Sequence, residues 1–149
     1  RISKNFDEKI QLILFGIDEI EIDKIRNEFE TIKIHNLGKV SDQSTLRLIY
    51  SCSDIVVIPS LIEAFGLIAL EAIHCGVPCV VFENTGLTSI IDHKKNGYIA
   101  KYNSGEDLEI GIRWCLKNII NKNKIIYEEA YLKFNSNKII KKYIEFLKK

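Results

Sequence analysis

The chain has 149 residues, 46% of them hydrophobic and 28% charged, with a formal net charge of +1. That length allows one domain with a real core but not two ordinary ones, and the composition excludes a disordered chain. No apolar run approaches the roughly 18 residues needed to cross a bilayer, and no signal peptide opens the sequence.

The predicted elements alternate between short apolar runs and helical patterns. IQLILFG (10–16) reads as a buried strand ended by Gly16. In IDKIRNEF (22–29), Ile22, Ile25 and Phe29 fall at helical spacing, and IKIHNLG (32–38) reads as a second strand. Ser41, Asp42 and Ser44 are capping candidates for a helix whose inner face carries Leu46, Ile49 and Tyr50. DIVVIPS (54–60) is a short apolar strand stopped by Pro59. The next helix, apolar almost all round, ends at Gly76 with Pro78 just beyond. CVVF (79–82) and GYIA (97–100) are further strands. Residues 104–118 form a helix with Ser104 as N-cap and acids in its first turn, and two Lys-rich helical patterns follow Asn121.

Strands apolar on both faces, alternating with helices, imply βαβ units and a parallel sheet. The expected fold class is therefore α/β, an open doubly wound parallel sheet. Ligands of such sheets bind beyond the carboxyl ends of the strands. Residues 36–41, 60–66 and 83–87 leave the sheet there.

The charge is uneven. Residues 1–120 carry 13 Lys and Arg against 17 acids, whereas residues 121–149 carry 8 Lys against 3 Glu. A solvated helix face explains the basic tail without an anionic partner. Its apolar stripe, Ile139, Ile140, Tyr143, Ile144 and Leu147, is expected to pack against the domain or a further part of the protein, with membrane-surface contact the second reading. No interleaving of basic and aromatic residues marks a nucleic-acid platform. Cys52, Cys75, Cys79 and Cys115 have neither zinc nor disulfide-framework spacing and read as small buried hydrophobes of a reducing cytoplasm. His74 is expected to meet a helix C-terminus, His93 to be solvated with Lys94 and Lys95, and His35, Ile110 and Trp114 to be core. The chain lacks Met and starts at Arg1, and is expected to be a piece of a longer protein.

The chemistry concentrates after Pro59. Gly66 permits a tight turn, and a helix starting near it would point the N–H groups of Phe65, Gly66 and Leu67 at an anion such as phosphate. Neither a dinucleotide fingerprint nor a P-loop is present. Glu71 stands about a turn and a half further on, in a helix built for burial. It is either a partner in a structural ion pair or an acceptor for paired ligand hydroxyls, such as those of a ribose. Glu63 is either a favourable charge near the helix N-terminus or a carboxylate facing the same cleft.

PSLIEAFGLIALEAIHCGVP (59–78) resembles the signature of the retaining GT-B glycosyltransferases of family 4, whose E-x7-E pair would here be Glu63 and Glu71. LGKVSDQSTLRLIYSCSDIVVIPS before it and IIDHKKNGYIAKYNSGEDLEIGIRWCL after it extend the likeness from Leu12 to Leu116, most specifically over Ser53–Tyr98. The resemblance implies a Rossmann-like, C-terminal donor-binding domain over 1–149, one half of a GT-B enzyme of capsule, O-antigen or exopolysaccharide synthesis. It implies a UDP- or GDP-linked sugar donor, no metal, and a glycan or lipid-linked acceptor bound by a separate N-terminal domain. The location would be cytoplasmic, with peripheral contact at the inner face of the membrane as an option. Glu71 would bind the ribose hydroxyls and Glu63 the transferred sugar. The loop holding Ala64, Phe65, Gly66 and Leu67 would take the diphosphate, and Gly38, Lys39 and Val40 would lie against the base. Residues 84–86 would border the sugar, while Val80 would be packing. A basic Arg and Lys clamp would precede Arg1, so the chain alone would bind donor weakly and turn over nothing. The rival reading is a non-catalytic nucleotide-binding or scaffold domain.

Overall fold

The computed structural model describes residues 10–16, 22–23, 25–26, 32–119 and 121–148. It forms two compact units, residues 1–46 and 47–149. In the first, β1 (Gln11–Leu14) pairs in parallel with β2 (Lys33–Asn36), Gln11 opposite Lys33 and Leu14 opposite Asn36. Of the described residues between them, Ile22, Asp23, Ile25 and Arg26 are helical, and Ile22 is buried. Phe29, expected on the same face, lies outside the described residues. Gly16, at φ +76°, donates its N–H to the Gly38 carbonyl (2.7 Å). His35 bonds Gln11 across the two strands (Nε2 to Oε1, 2.8 Å), a structural role that a half-buried imidazole can fill.

α1 (Gln43–Ser51) starts where Asp42 Oδ1 accepts the Thr45 N–H at 2.8 Å, as its capping pattern requires. In the second unit, β3 (Val56–Ile58), β4 (Cys79–Phe82) and β5 (Gly97–Ala100) make a parallel sheet in the order β3-β4-β5. Central β4 is buried along its whole length, the signature of a strand covered on both faces. Val80, Phe82, Tyr98, Ala100, Cys115 and Ile119 form the core, with Trp114 packed against it. The α/β fold with parallel sheets matches the sequence pattern.

α2 (Leu67–His74) joins β3 to β4, and a short 3-10 turn (Gly86–Ser89) follows β4. The end of α2 is a Schellman motif: Val77 N–H donates to Ala72 O and Gly76 N–H to Ile73 O, both at 3.0 Å. Gly76 has φ +77°, and a Cβ there would stand 2.5 Å from the Asn123 carbonyl oxygen. Gly76→Ala is therefore expected to destabilise the fold by about 2 kcal/mol or more, read as a lower urea midpoint.

α3 (Gly105–Asn118) is capped by Ser104, whose Oγ accepts the Asp107 N–H at 3.2 Å. Its inner face is set by Gly111 and Cys115, both buried, with Trp114 at the edge. Ile110, expected in the core, is 54% exposed. The buried stripe is turned by one residue, about 100°, because Gly111 lets the helix approach Tyr98 and Val80 closely. α4 (Asn123–Lys133) buries Ile126 and Ala130 and packs on α2. α5 (Ser136–Leu147) follows. Its apolar stripe, Ile139, Ile140, Tyr143, Ile144 and Leu147, is exposed, so the expected packing against the domain is not met among the described residues.

The cysteines are free. Cys79 and Cys115 are buried as expected, and burial pushes the Cys115 thiol up to about 12. Cys75 is half-buried, whereas Cys52 is exposed at the end of α1, its Sγ near the Ile49 carbonyl. Its apolar sequence neighbours mark the face next to it rather than its own. Among the described residues no helix is long and apolar enough to cross a membrane.

Candidate functional site

β3 ends at Ile58, and residues 59–66 turn the chain into α2. Gly66 makes the turn possible: it adopts φ 94°, ψ 63° as the N-cap, with no side-chain cap. Its carbonyl accepts the Ala69 and Leu70 N–H groups (3.0 and 3.2 Å). The N–H groups of Gly66, Leu67 and Ile68 meet no acceptor among the described residues, leaving a partial positive charge there. The expected trio is thus shifted by one residue. α2 starts at Leu67 rather than earlier, and the Phe65 N–H leans on Glu63 Oε1 at 3.4 Å.

A second loop supports the first. Gly86 donates its N–H to the Glu63 carbonyl at 2.7 Å. Thr85, buried, anchors its Oγ1 on the Phe82 carbonyl (3.0 Å), and Asn84 takes φ +60°. Glu63 is therefore fixed through its backbone while its carboxylate stays half-exposed. Gly86 thus lies against the turn carrying Glu63, within close reach of the Ala64 and Phe65 backbone. Glu83, at the same end of the sheet, accepts the Tyr102 N–H at 3.2 Å. Everything described so far stands at the carboxyl ends of β3, β4 and β5.

Glu71 overturns the expectation of a buried acid. α2 turns Ala69, Ala72 and Ile73 inward, so Leu67, Ile68 and Glu71 face outward and are exposed. Leu67 is 64% exposed, and Ile62 in the preceding turn is 93% exposed. An apolar composition cannot distinguish a helix buried all round from one whose outer face is a bare apolar surface. Glu71 Oε2 accepts the Tyr50 hydroxyl at 2.8 Å. Tyr50 is only 2% exposed. Burial, and then the bond to Glu71, push its phenol well above the usual tyrosine range, so it stays a donor.

Glu63, Ala64, Phe65, Gly66, Leu67 and Glu71 are thus brought together in the second unit. Gly38, Lys39 and Val40 belong to the first. There Gly38, at φ +60°, donates its N–H to Asn36 Oδ1 (2.9 Å), and the Lys39 side chain is exposed. Val80 is fully buried in the core, as expected. His74 meets the Leu70 carbonyl through Nδ1 (2.8 Å) at the end of α2. His93 is exposed but not merely solvated: its Nδ1 accepts the Ile99 N–H (3.1 Å), and its ring lies 4.6 Å from that of Tyr98. Sequence reasoning missed Tyr50, which was grouped with the core stripe of α1. Its buried hydroxyl was the available signal, since a phenol in a core needs a partner. Among the described residues no group of three or more His, Cys, Asp or Glu could hold a metal ion.

The sequence matches the model of the family described as "Glycosyl transferases group 1" over residues 1–133. It is 34% identical over 122 residues to an uncharacterised glycosyltransferase of Methanocaldococcus jannaschii, covering 78% of this chain and 30% of that protein. It is 31% identical over 110 residues to the N-acetyl-alpha-D-glucosaminyl L-malate synthase of Bacillus anthracis, covering 72% of this chain and 28% of that one. The chain therefore spans about a third or less of the length of these relatives. Among solved structures it is similar in fold to Anabaena HepE in complex with UDP, with a TM-score of 0.74 at 20% identity over 93% of this chain and 41% of that one.

Proposed function

The chain belongs to the glycosyl transferases group 1 family, and from that premise we propose that it binds the nucleotide-sugar donor of a retaining, metal-independent glycosyltransferase. The observation that carries this reading is the uncapped N-terminus of α2 set between two carboxylates, Glu63 before it and Glu71 after it. The UDP held by the Anabaena structure supports a nucleoside diphosphate as the ligand class.

In this reading the N–H groups of Gly66, Leu67 and Ile68 take the diphosphate. Charge grows on that group as the anomeric bond breaks, so fixed N–H dipoles stabilise the transition state more than the ground state. Glu71 accepts the ribose hydroxyls. Glu63 accepts hydroxyls of the transferred sugar and orients it. The bond from the anomeric carbon to the β-phosphate oxygen breaks as the acceptor oxygen bonds to the same face. The acceptor's proton passes to the departing phosphate oxygen. Glu63 is not a nucleophile in this scheme. A further domain would bind the acceptor, a glycan or lipid-linked chain of capsule, O-antigen or exopolysaccharide synthesis, in the cytoplasm at the inner face of the membrane.

Titrating the isotope-labelled chain with UDP and with GDP tests the donor site. Amide shifts should concentrate at Gly66, Leu67, Ile68 and Glu71. If neither nucleotide moves them, the donor reading is wrong and the scaffold alternative stands.

A further inference from the structure

We infer that Tyr50 is a positioning residue of the donor site: its phenol holds one carboxylate oxygen of Glu71 and leaves the other for the ligand's paired hydroxyls. This rests on the reading of Glu71 as a hydroxyl acceptor.

The two partners are unlike. Tyr50 is buried and set by packing on α1, next to the buried Ile49. Glu71 is exposed on the outer face of α2, beside the exposed Leu67 and Ile68, whose side chains offer it no donor. A glutamate in that setting has three free torsions, and ordering them on ligand binding costs conformational entropy. The 2.8 Å bond from a fixed phenol removes much of that freedom before a ligand arrives. The donor is the rigid member, so the bond's main effect falls on the carboxylate. One carboxylate has about four acceptor positions, and one phenol occupies a single one, so a pair of neighbouring hydroxyls can still be accepted. The phenol stays protonated because burial and the bond to Glu71 both disfavour its anion. The contact therefore persists throughout the neutral range.

Tyr50→Phe removes the hydroxyl alone and keeps the packing. The expected result is about a five- to tenfold weaker affinity for UDP, with an unchanged affinity for 2′,3′-dideoxyuridine diphosphate, which lacks both ribose hydroxyls. In a Glu71→Ala background, Tyr50→Phe should add no further loss for UDP. A general structural lesion would weaken both ligands alike, or add to Glu71→Ala, and either result overturns the inference. So does full UDP affinity in Tyr50→Phe when Glu71→Ala is weakened. If Glu71→Ala itself binds UDP normally, the ribose role of Glu71 fails first, and the inference with it.

Discussion

Glu71→Ala is expected to raise the dissociation constant for UDP by about 30- to 100-fold. Two hydroxyls bonding to a charged acceptor contribute about 1.5–3 kcal/mol each, less than additively, so a combined loss near 2–3 kcal/mol is the reasonable scale. The change is clean because Glu71 is exposed: no cavity forms when it is truncated. The fold should lose only about 1 kcal/mol, from the Tyr50 hydroxyl left without this partner. Calorimetric titration with UDP, paired with urea unfolding, separates the two effects. An affinity within twofold of the parent would remove Glu71 from the donor site.

The second large effect is on stability. A Cβ at Gly86 would lie 2.0 Å from the Ala64 carbonyl oxygen and 2.8 Å from the Phe65 nitrogen, and these are backbone atoms that cannot swing aside. Gly86→Ala must therefore push apart the two loops that the 2.7 Å bond to the Glu63 carbonyl ties together. A loss of about 2–3 kcal/mol is expected, equivalent to a fall of about 5–10 °C in Tm for a chain of this size. UDP affinity should drop with it, since Glu63 and Gly66 sit on the displaced turn. Gly105→Ala is the matched control. Nothing stands within 4 Å of its Cβ, and a helical Gly replaced by Ala gains up to about 1 kcal/mol. If Gly86→Ala melted with the control, the two loops would not be coupled in this way.

The elements that could be read from sequence are those whose signals are local. Ser104 followed by acids marks the start of α3, and Gly76 followed by Pro78 marks the end of α2. The continuous apolar run of β4 identifies a central parallel strand. Each depends on residues within a turn or two of the feature. What could not be read depends on which way a face points. α2 has an apolar sequence, but its outer side, Leu67 and Ile68 with Glu71, is uncovered. The stripe through Ile110 is displaced by one residue because Gly111 permits an approach that no propensity scale records. The partner of Glu71 is 21 residues upstream on another helix. Its pairing follows from how the two helices pack, not from any spacing in the chain. The E-x7-E pattern itself was visible, whereas the Tyr50 bond that orients its second member was not.

The two left-handed glycines that bound α2 have a consequence for chain length. Gly66 fits against Leu87 at one end, and Gly76 against the Asn123 backbone at the other. Glu71 stands five residues from each. A single inserted or deleted residue between them would swing Glu71 about 100° around the helix and pull one glycine out of its seat. Length change should therefore be tolerated in exposed turns such as residues 101–103, but not between 66 and 76. The place of Glu71 on the helix is thus held by anchors at both ends of a rigid rod, and it would resist drift even if its carboxylate touched no ligand.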